Sequence, residues 1–96
     1  MKFVALWSLK ESVDQAKMAE IIRRRAGFEF SAGTSPIAEY WSPKSSPVVV
    51  SIFEADDAAA MMLNSVAWVD VFDVDVFPVV EWEEGLEKIS RLLGGK

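Results

Sequence analysis

Two aspartates near the C-terminal end, Asp73 and Asp75, come closest in this sequence to a catalytic or metal-binding pair. They alternate with valines, as on a β-strand, where residues two apart share a face and their Cα atoms lie about 6.6–6.8 Å apart. Paired carboxylates can act as acid and base or hold a hard cation. The alternative is structural, because charges on an edge strand prevent unwanted strand addition. Two carboxylates supply too few oxygen ligands for an octahedral cation, so we expect no metal.

A second group places an acid, a phenol and an indole next to one another, as Glu39, Tyr40 and Trp41. On a strand, Glu39 and Trp41 share one face and Tyr40 lies on the other. A tyrosine near a carboxylate can orient a polar group on an apolar ligand, whereas aromatic residues on sheets also serve packing alone. The candidate ligand-binding residues are therefore Asp73, Asp75, Glu39, Tyr40 and Trp41.

The sequence lacks histidine and cysteine, which removes the commonest general base, transition-metal ligand and haem ligand, together with all thiolate and disulfide chemistry. We therefore expect no cofactor and assign no catalytic residue, and whether the protein is an enzyme stays open. The net charge of −5 argues against a nucleic-acid partner. The one basic cluster, residues 23–25, could bind a phosphate or an acidic partner, or could complement the negative end of a helix dipole.

The elements that must position these residues follow from periodicity and from start and stop signals. Ser12 and Gln15 have capping-box spacing ahead of a helix that Gly27 ends, and Asp56 and Asp57 precede a second helix. The predicted strands are residues 2–9, 37–41, 48–54 and 69–77, and the predicted helices are residues 12–26, 58–66 and a C-terminal helix from Trp82 that Gly94 caps. Apolar residues at helical spacing form the predicted inward stripes of the first and last helices: Val13, Ala16, Ala19, Ile22 and Ala26, and Trp82, Leu86, Ile89 and Leu93.

Strand, helix, strand, strand, helix, strand is the order of a ferredoxin-like α+β fold, βαββαβ, here with an extra C-terminal helix and a four-stranded antiparallel sheet. We expect one domain over residues 1–96. Right-handed crossovers place both main helices on one sheet face, yet the first and third strands are apolar on both faces. Since 51% of the residues are hydrophobic, we expect the bare face to pack on a second copy of the chain.

The apolar run of residues 3–7 is too short for the central region of a signal peptide, and Lys10 and Glu11 follow where a cleavage site would lie. No stretch approaches the roughly 20 apolar residues of a membrane span. A cytoplasmic location without a membrane partner is the resulting prediction.

Three stretches carry a family resemblance: the opening MKFVALW (1–7), the junction EADDAA (54–59) and residues 68–78. With them the chain resembles an uncharacterised family of the dimeric α/β-barrel, ferredoxin-like superfamily. The resemblance implies a dimer whose two sheets face each other, often around a cavity for a small hydrophobic ligand. Members that bind haem or perform acid–base chemistry commonly use a histidine, so no catalytic residue carries over.

Three functions remain as hypotheses. The first is a homodimer that binds a small apolar ligand between the two sheets, in a cavity lined by Trp and Phe and rimmed by Asp73, Asp75 and Tyr40. The second is an enzyme similar to cofactor-free monooxygenases or isomerases, in which the pocket positions a reactive substrate. The third is a structural or interaction module with a dry dimer interface.

Overall fold

A single antiparallel sheet organises the part of the chain that the computed structural model describes, residues 1–10 and 13–94. Its strands lie in the order second, third, first, fourth, which confirms the predicted α+β, ferredoxin-like arrangement with an additional C-terminal helix. In chain order the elements are β1 (Lys2–Leu9), α1 (Gln15–Ala26), β2 (Thr34–Trp41), β3 (Val49–Ala55), α2 (Ala58–Val66), β4 (Phe72–Val79) and α3 (Trp82–Gly94).

The core lies on one face of the sheet, beneath α1 and α2. On β1, the alternate residues Phe3, Ala5 and Trp7 are buried, and the register places Phe3 opposite Phe53 of β3. Each helix contributes to the same buried cluster, which includes Ile21 of α1 and Met61 of α2. Both main helices therefore cover one sheet face, as right-handed crossovers require.

Helix α1 begins later than predicted. It starts at Gln15, and the carboxylate of Asp14 accepts a hydrogen bond from the Lys17 backbone amide at 2.8 Å. An aspartate at this position satisfies one of the free amides of the first turn, so Asp14 is the N-cap. The predicted cap, Ser12, lies outside the described residues.

The core-facing side of α1 also differs from the predicted stripe, which consisted of Val13, Ala16, Ala19, Ile22 and Ala26. Ile22 is 52% exposed, whereas Ile21 is buried and Met18 packs against the core. The inward side continues through Arg24 and Arg25, whose guanidinium groups lie over aromatic rings. A hydrophobicity pattern does not count arginines as inward-facing, although their stems and planar heads pack on apolar surface.

Strand β2 begins at Thr34 rather than at residue 37 and contains a bulge between Pro36 and Ala38. A proline and a bulge are tolerated because β2 lies at a sheet edge, where one missing donor breaks no central ladder. Strand β3 is shifted by one residue from its prediction, to Val49–Ala55. The antiparallel pairing of β2 with β3 is confirmed.

Strand β4 begins at Phe72, three residues later than predicted, because a turn occupies the preceding segment. The amide of Val69 donates to the Val66 carbonyl, and the amides of Val71 and Phe72 donate to the Trp68 carbonyl. Strand β4 lies at the other sheet edge, which explains how it accommodates Pro78. At the start of α2, the side chain of Asp57 accepts from the Ala60 amide at 3.0 Å and confirms the predicted acidic start.

Helix α3 projects away from the sheet and from the other two helices. The radius of gyration is 16.1 Å, compared with about 12.5 Å for a compact chain of this length, and the longest dimension is 56 Å. The predicted apolar positions Trp82, Leu86, Ile89 and Leu93 lie on α3, and all four side chains are exposed. This helix is therefore formed as predicted but has its apolar side in contact with water.

Candidate functional site

The sheet face opposite α1 and α2, called here the uncovered sheet face, is apolar at its centre. Leu6 of β1 lies opposite Val50 of β3, and Val4 lies opposite Ile52. Phe77 of β4 continues the second row on the other side of Val4. Opposed residues on adjacent strands point to the same side and touch, so these side chains form one continuous patch. The side chains of Val4, Leu6, Val50 and Ile52 are half-buried and that of Phe77 is exposed. A contiguous apolar patch on an uncovered face marks an interaction surface or a ligand surface.

Asp73 and Asp75 lie along one edge of that face. The register places Asp73 opposite Ser8 and Asp75 opposite Leu6, on the strand that forms the sheet edge. Lys10 approaches Asp73, with 3.3 Å between Nζ and Oδ1. The predicted common face and the predicted edge position are both confirmed. An exposed carboxylate that already has a lysine partner is suited to a polar rim.

The adjacent residues 39–41 on β2 divide between the two faces, as their alternation predicts. Tyr40 lies opposite Val50 on the uncovered sheet face and is 63% exposed. Glu39 and Trp41 lie on the helix-facing side, opposite Ser51 and Val49. The five candidate residues therefore do not form one site: Tyr40, Asp73 and Asp75 share the uncovered face, and the other two belong to the opposite side of the sheet.

Glu39 is held by two hydrogen-bond donors. Arg25 Nε lies 3.0 Å from both carboxylate oxygens, and Trp41 Nε1 donates to Oε2 at 2.9 Å. The guanidinium of Arg25 also lies 5.3 Å from the centre of the Phe30 ring. This arrangement ties the edge strand β2 to the end of α1. The sequence did not predict that Arg25 is the partner of Glu39, because no local pattern relates the end of a helix to a strand residue 14 positions later.

A narrow cavity of about 30 Å³ lies behind this cluster, between the sheet and α1. Its volume is enough for about one water molecule. The lining is dominated by aromatic rings that meet edge to face or at a tilt, with centroid distances of 5.3–5.7 Å among neighbouring pairs. The residues that line it are Trp7, Ile21, Arg25, Phe28, Phe30, Glu39, Trp41, Val49, Ser51, Phe53, Asn64, Trp68 and Phe72.

The location of these aromatic rings corrects one expectation. Trp and Phe were predicted to line the space between two sheets, but Trp7, Trp68 and Phe53 are buried beneath the helices. The reason is register: β1 and β3 turn their bulky rings to the helix side and their aliphatic residues to the uncovered side. On the uncovered face the aromatic side chains are those of Tyr40 and Phe77.

Polar side chains inside the core are satisfied locally. Ser51 accepts a hydrogen bond from Trp7 Nε1 at 3.0 Å, and Asn64 accepts one from the Ser31 amide at 3.1 Å. No buried side-chain nitrogen or oxygen lacks a partner within residues 1–10 and 13–94. The signal for Ser51 was its place on the core side of an otherwise apolar strand, since a buried hydroxyl requires a partner.

Two residues of the basic cluster at the end of α1, Arg24 and Arg25, contact other parts of the protein. Arg24 donates two hydrogen bonds to the Asp70 carboxylate, each at 2.9 Å, and a third to the Ala67 carbonyl. Its guanidinium lies 4.4 Å from the centre of the Trp68 ring. The hydrogen bonds from Arg24 lower the pKa of Asp70 below its usual range and raise the pKa of Arg24. The guanidinium groups of Arg24 and Arg25 thus already have carboxylate partners within the chain, and these contacts explain their positions without a bound phosphate.

We expect Asp70→Asn to lower the midpoint of thermal unfolding at pH 7, and we expect this effect to shrink as the pH is lowered below 3.8. Because the pKa of Asp70 is depressed in the folded state, its contribution is complete above the ordinary value of 3.8 and disappears as pH falls through the folded value. Melting curves of both proteins across this range provide the measurement. A midpoint difference that stays constant as the pH falls through this range would contradict the assignment. Asp56→Asn, at an exposed aspartate outside the Arg24–Asp70 pair, is the control.

Among the described residues, no group of three or more His, Cys, Asp or Glu side chains could hold a metal ion. None of the helices in this part of the chain is long and apolar enough to cross a membrane.

Comparison with known proteins places the chain in a family without giving it an activity. No curated protein and no solved structure matches the sequence. Residues 1–93 match the family described as a domain of unknown function, DUF3303. The match covers every element of the structure, from β1 through the greater part of α3. The chain thus belongs to the DUF3303 family, whose function is uncharacterised.

Proposed function

We propose that the protein works in the cytoplasm as a homodimer whose two uncovered sheet faces pack together and bind a small apolar ligand between them. The observation that supports this most strongly is the apolar patch around Leu6, Val50, Val4 and Ile52. Water contact with such a patch is unfavourable by about 25 cal/mol per Å². Helices α1 and α2 already lie on the other side of the sheet, so a second copy is the simplest cover for this one.

The rim of the patch supports the ligand part of the proposal. Tyr40 lies at the β2 edge, and Asp73 and Asp75 lie at the β4 edge, so polar groups flank an apolar centre on both sides. Binding sites for small molecules usually combine apolar walls with a few polar groups that fix orientation. A ligand with an apolar body and one hydroxyl or amine group matches this arrangement.

A second location for the ligand is favoured by the aromatic cavity on the helix side. There the Arg25–Glu39 pair and Trp41 lie beside a ring-lined space of about 30 Å³. Entry of anything larger than water requires lining side chains to move, such as Arg25 at the end of α1 or Trp41 on the edge strand β2. In this alternative the dimer interface itself is dry.

Titration with the neutral dye Nile red separates these possibilities by stoichiometry. A ligand space between two sheets predicts one dye per dimer, loss of binding in a monomeric variant, and altered affinity in Tyr40→Phe. A helix-side site predicts one dye per chain and altered affinity in Trp41→Ala, with Tyr40→Phe unchanged. A dimer that binds no dye would contradict ligand binding and leave a structural dimer. Native mass spectrometry of the purified protein would show any co-purified molecule.

A further inference from the structure

Helix α3 presents an apolar stripe, defined here as Trp82, Leu86, Ile89 and Leu93, that no other part of residues 1–10 and 13–94 covers. The exposed fractions range from 51% for Leu86 to 80% for Leu93. Their spacing of four, three and four residues is that of a helix packing along one narrow seam. An isolated helix of 13 residues is marginal in water, so a helix with this pattern requires a surface to pack on.

Helix α3 starts close to β4 and leads away from the rest of the chain. Lys2 Nζ donates to Glu81 Oε1 at 2.6 Å, immediately before the helix, and the Gly85 amide donates to the Glu81 carbonyl. Two residues, Val80 and Glu81, separate β4 from α3. This short connection limits the directions that α3 can take, and in the structure the helix extends away from the chain that carries it.

The chain also has an apolar groove without an occupant, called here the α2 groove, between α2 and the edge strand β4. It has a volume of about 180 Å³, and its lining includes Phe3, Met61, Met62, Val76 and Pro78. Farther along the outer side of α2, Leu63 and Val66 are more than half exposed. Methionine side chains adapt their shape to a partner, which suits this surface to receiving a helix.

We propose that α3 of each copy packs its stripe into the α2 groove of a second copy, so that two arms are exchanged reciprocally. A two-fold dimer uses the same surfaces on both chains, and one exchange therefore covers both stripes and both grooves. The inference rests on the proposed dimer and specifies how its periphery is built.

Interface area supports a second copy as the occupant. Four strands of seven or eight residues give a flat sheet footprint of roughly 500 Å² per copy, below the roughly 800 Å² of accessible surface that each partner buries in a stable complex. A 13-residue helix about 20 Å long and 10 Å wide adds about 200 Å², and each copy both gives and receives one arm. The exchanged arms supply the area that the sheet faces lack.

Because the chain contains no cysteine, cross-linking tests the contact directly. Met62→Cys marks the groove and Leu86→Cys marks the stripe, and a short bis-maleimide joins thiols that lie close together. We expect a mixture of the two single variants to give a cross-linked heterodimer. Cross-linking of Leu86→Cys with itself, a cross-linked monomer in the double variant, or no product in the mixture would each overturn the exchange.

A matched pair of α3 variants measures the strength of the contact. Leu86→Ser with Ile89→Ser removes two stripe residues per arm, and we expect the dimer Kd to rise by at least about 100-fold. The control, Glu84→Ser with Lys88→Ser, alters the opposite side of α3 at constant net charge and should leave the Kd unchanged.

The two proposals fail in different ways in these measurements. A wild-type chain that is monomeric at every concentration would contradict the proposed dimer, and with it the exchange of α3. A wild-type dimer whose Kd does not change in the stripe variant would overturn only the exchange of α3.

Discussion

Phe53→Ala is expected to lower the free energy of unfolding by about 3–5 kcal/mol, a large share of the roughly 5–15 kcal/mol that stabilises a typical domain. Phe53 is 2% exposed, lies opposite Phe3 on β1, and meets the Phe30 ring at a centroid distance of 5.3 Å. It also lines the existing cavity, so its removal enlarges a space that the rigid aromatic cluster cannot close.

Urea denaturation at one fixed protein concentration measures this effect, since the stability of a dimer depends on concentration. Ile37→Ala is the control, because Ile37 is exposed at the bulge of β2 and should change stability by less than about 0.5 kcal/mol. Equal losses in the two variants would show that the core does not lie where the structure places it.

Leu6→Glu is expected to convert the dimer into a monomer at micromolar concentration, with a rise in Kd of at least about 1,000-fold. The change removes an apolar side chain from the centre of the uncovered sheet face in both copies and places two carboxylates against apolar surface. A loss of about 4 kcal/mol is enough for a factor of this size.

Ile22→Glu is the matched control for this experiment. It adds the same charge at an exposed apolar residue on the outer side of α1, away from the uncovered face. Sedimentation velocity on both variants should show a monomer for Leu6→Glu and a dimer for Ile22→Glu. If both variants are monomers, or if both remain dimers, the uncovered sheet face is not the dimer interface.

The fold was predictable because its signals are local and redundant. Strand β1 is rich in strand-forming residues and is apolar on both faces. Helix α2 follows an aspartate that serves as its cap, and α3 has an unbroken apolar stripe. The order of elements then restricts the topology to very few choices. The predicted start of β4 was wrong because Val69 and Val71 are strand-forming residues, whereas the backbone of residues 69–71 continues from the end of α2 in a hydrogen-bonded turn.

The candidate site was predictable only in part, because alternation gives the relative faces of residues and not which face a helix covers. The separation of Tyr40 from Glu39 and Trp41 follows from alternation alone. The burial of Trp7 and Phe53 beneath the helices depends on register, and a shift of one residue would reverse it. The contacts of Arg24 with Trp68 and Asp70 join distant segments, and no spacing rule predicts them.

Sedimentation equilibrium of the wild-type protein over a wide concentration range tests most directly whether a second copy covers the sheet. We predict a single species with twice the chain mass of 10.7 kDa at micromolar concentration. A particle of one chain mass at every concentration, with the Leu6 and Val50 side chains left in water, would contradict it.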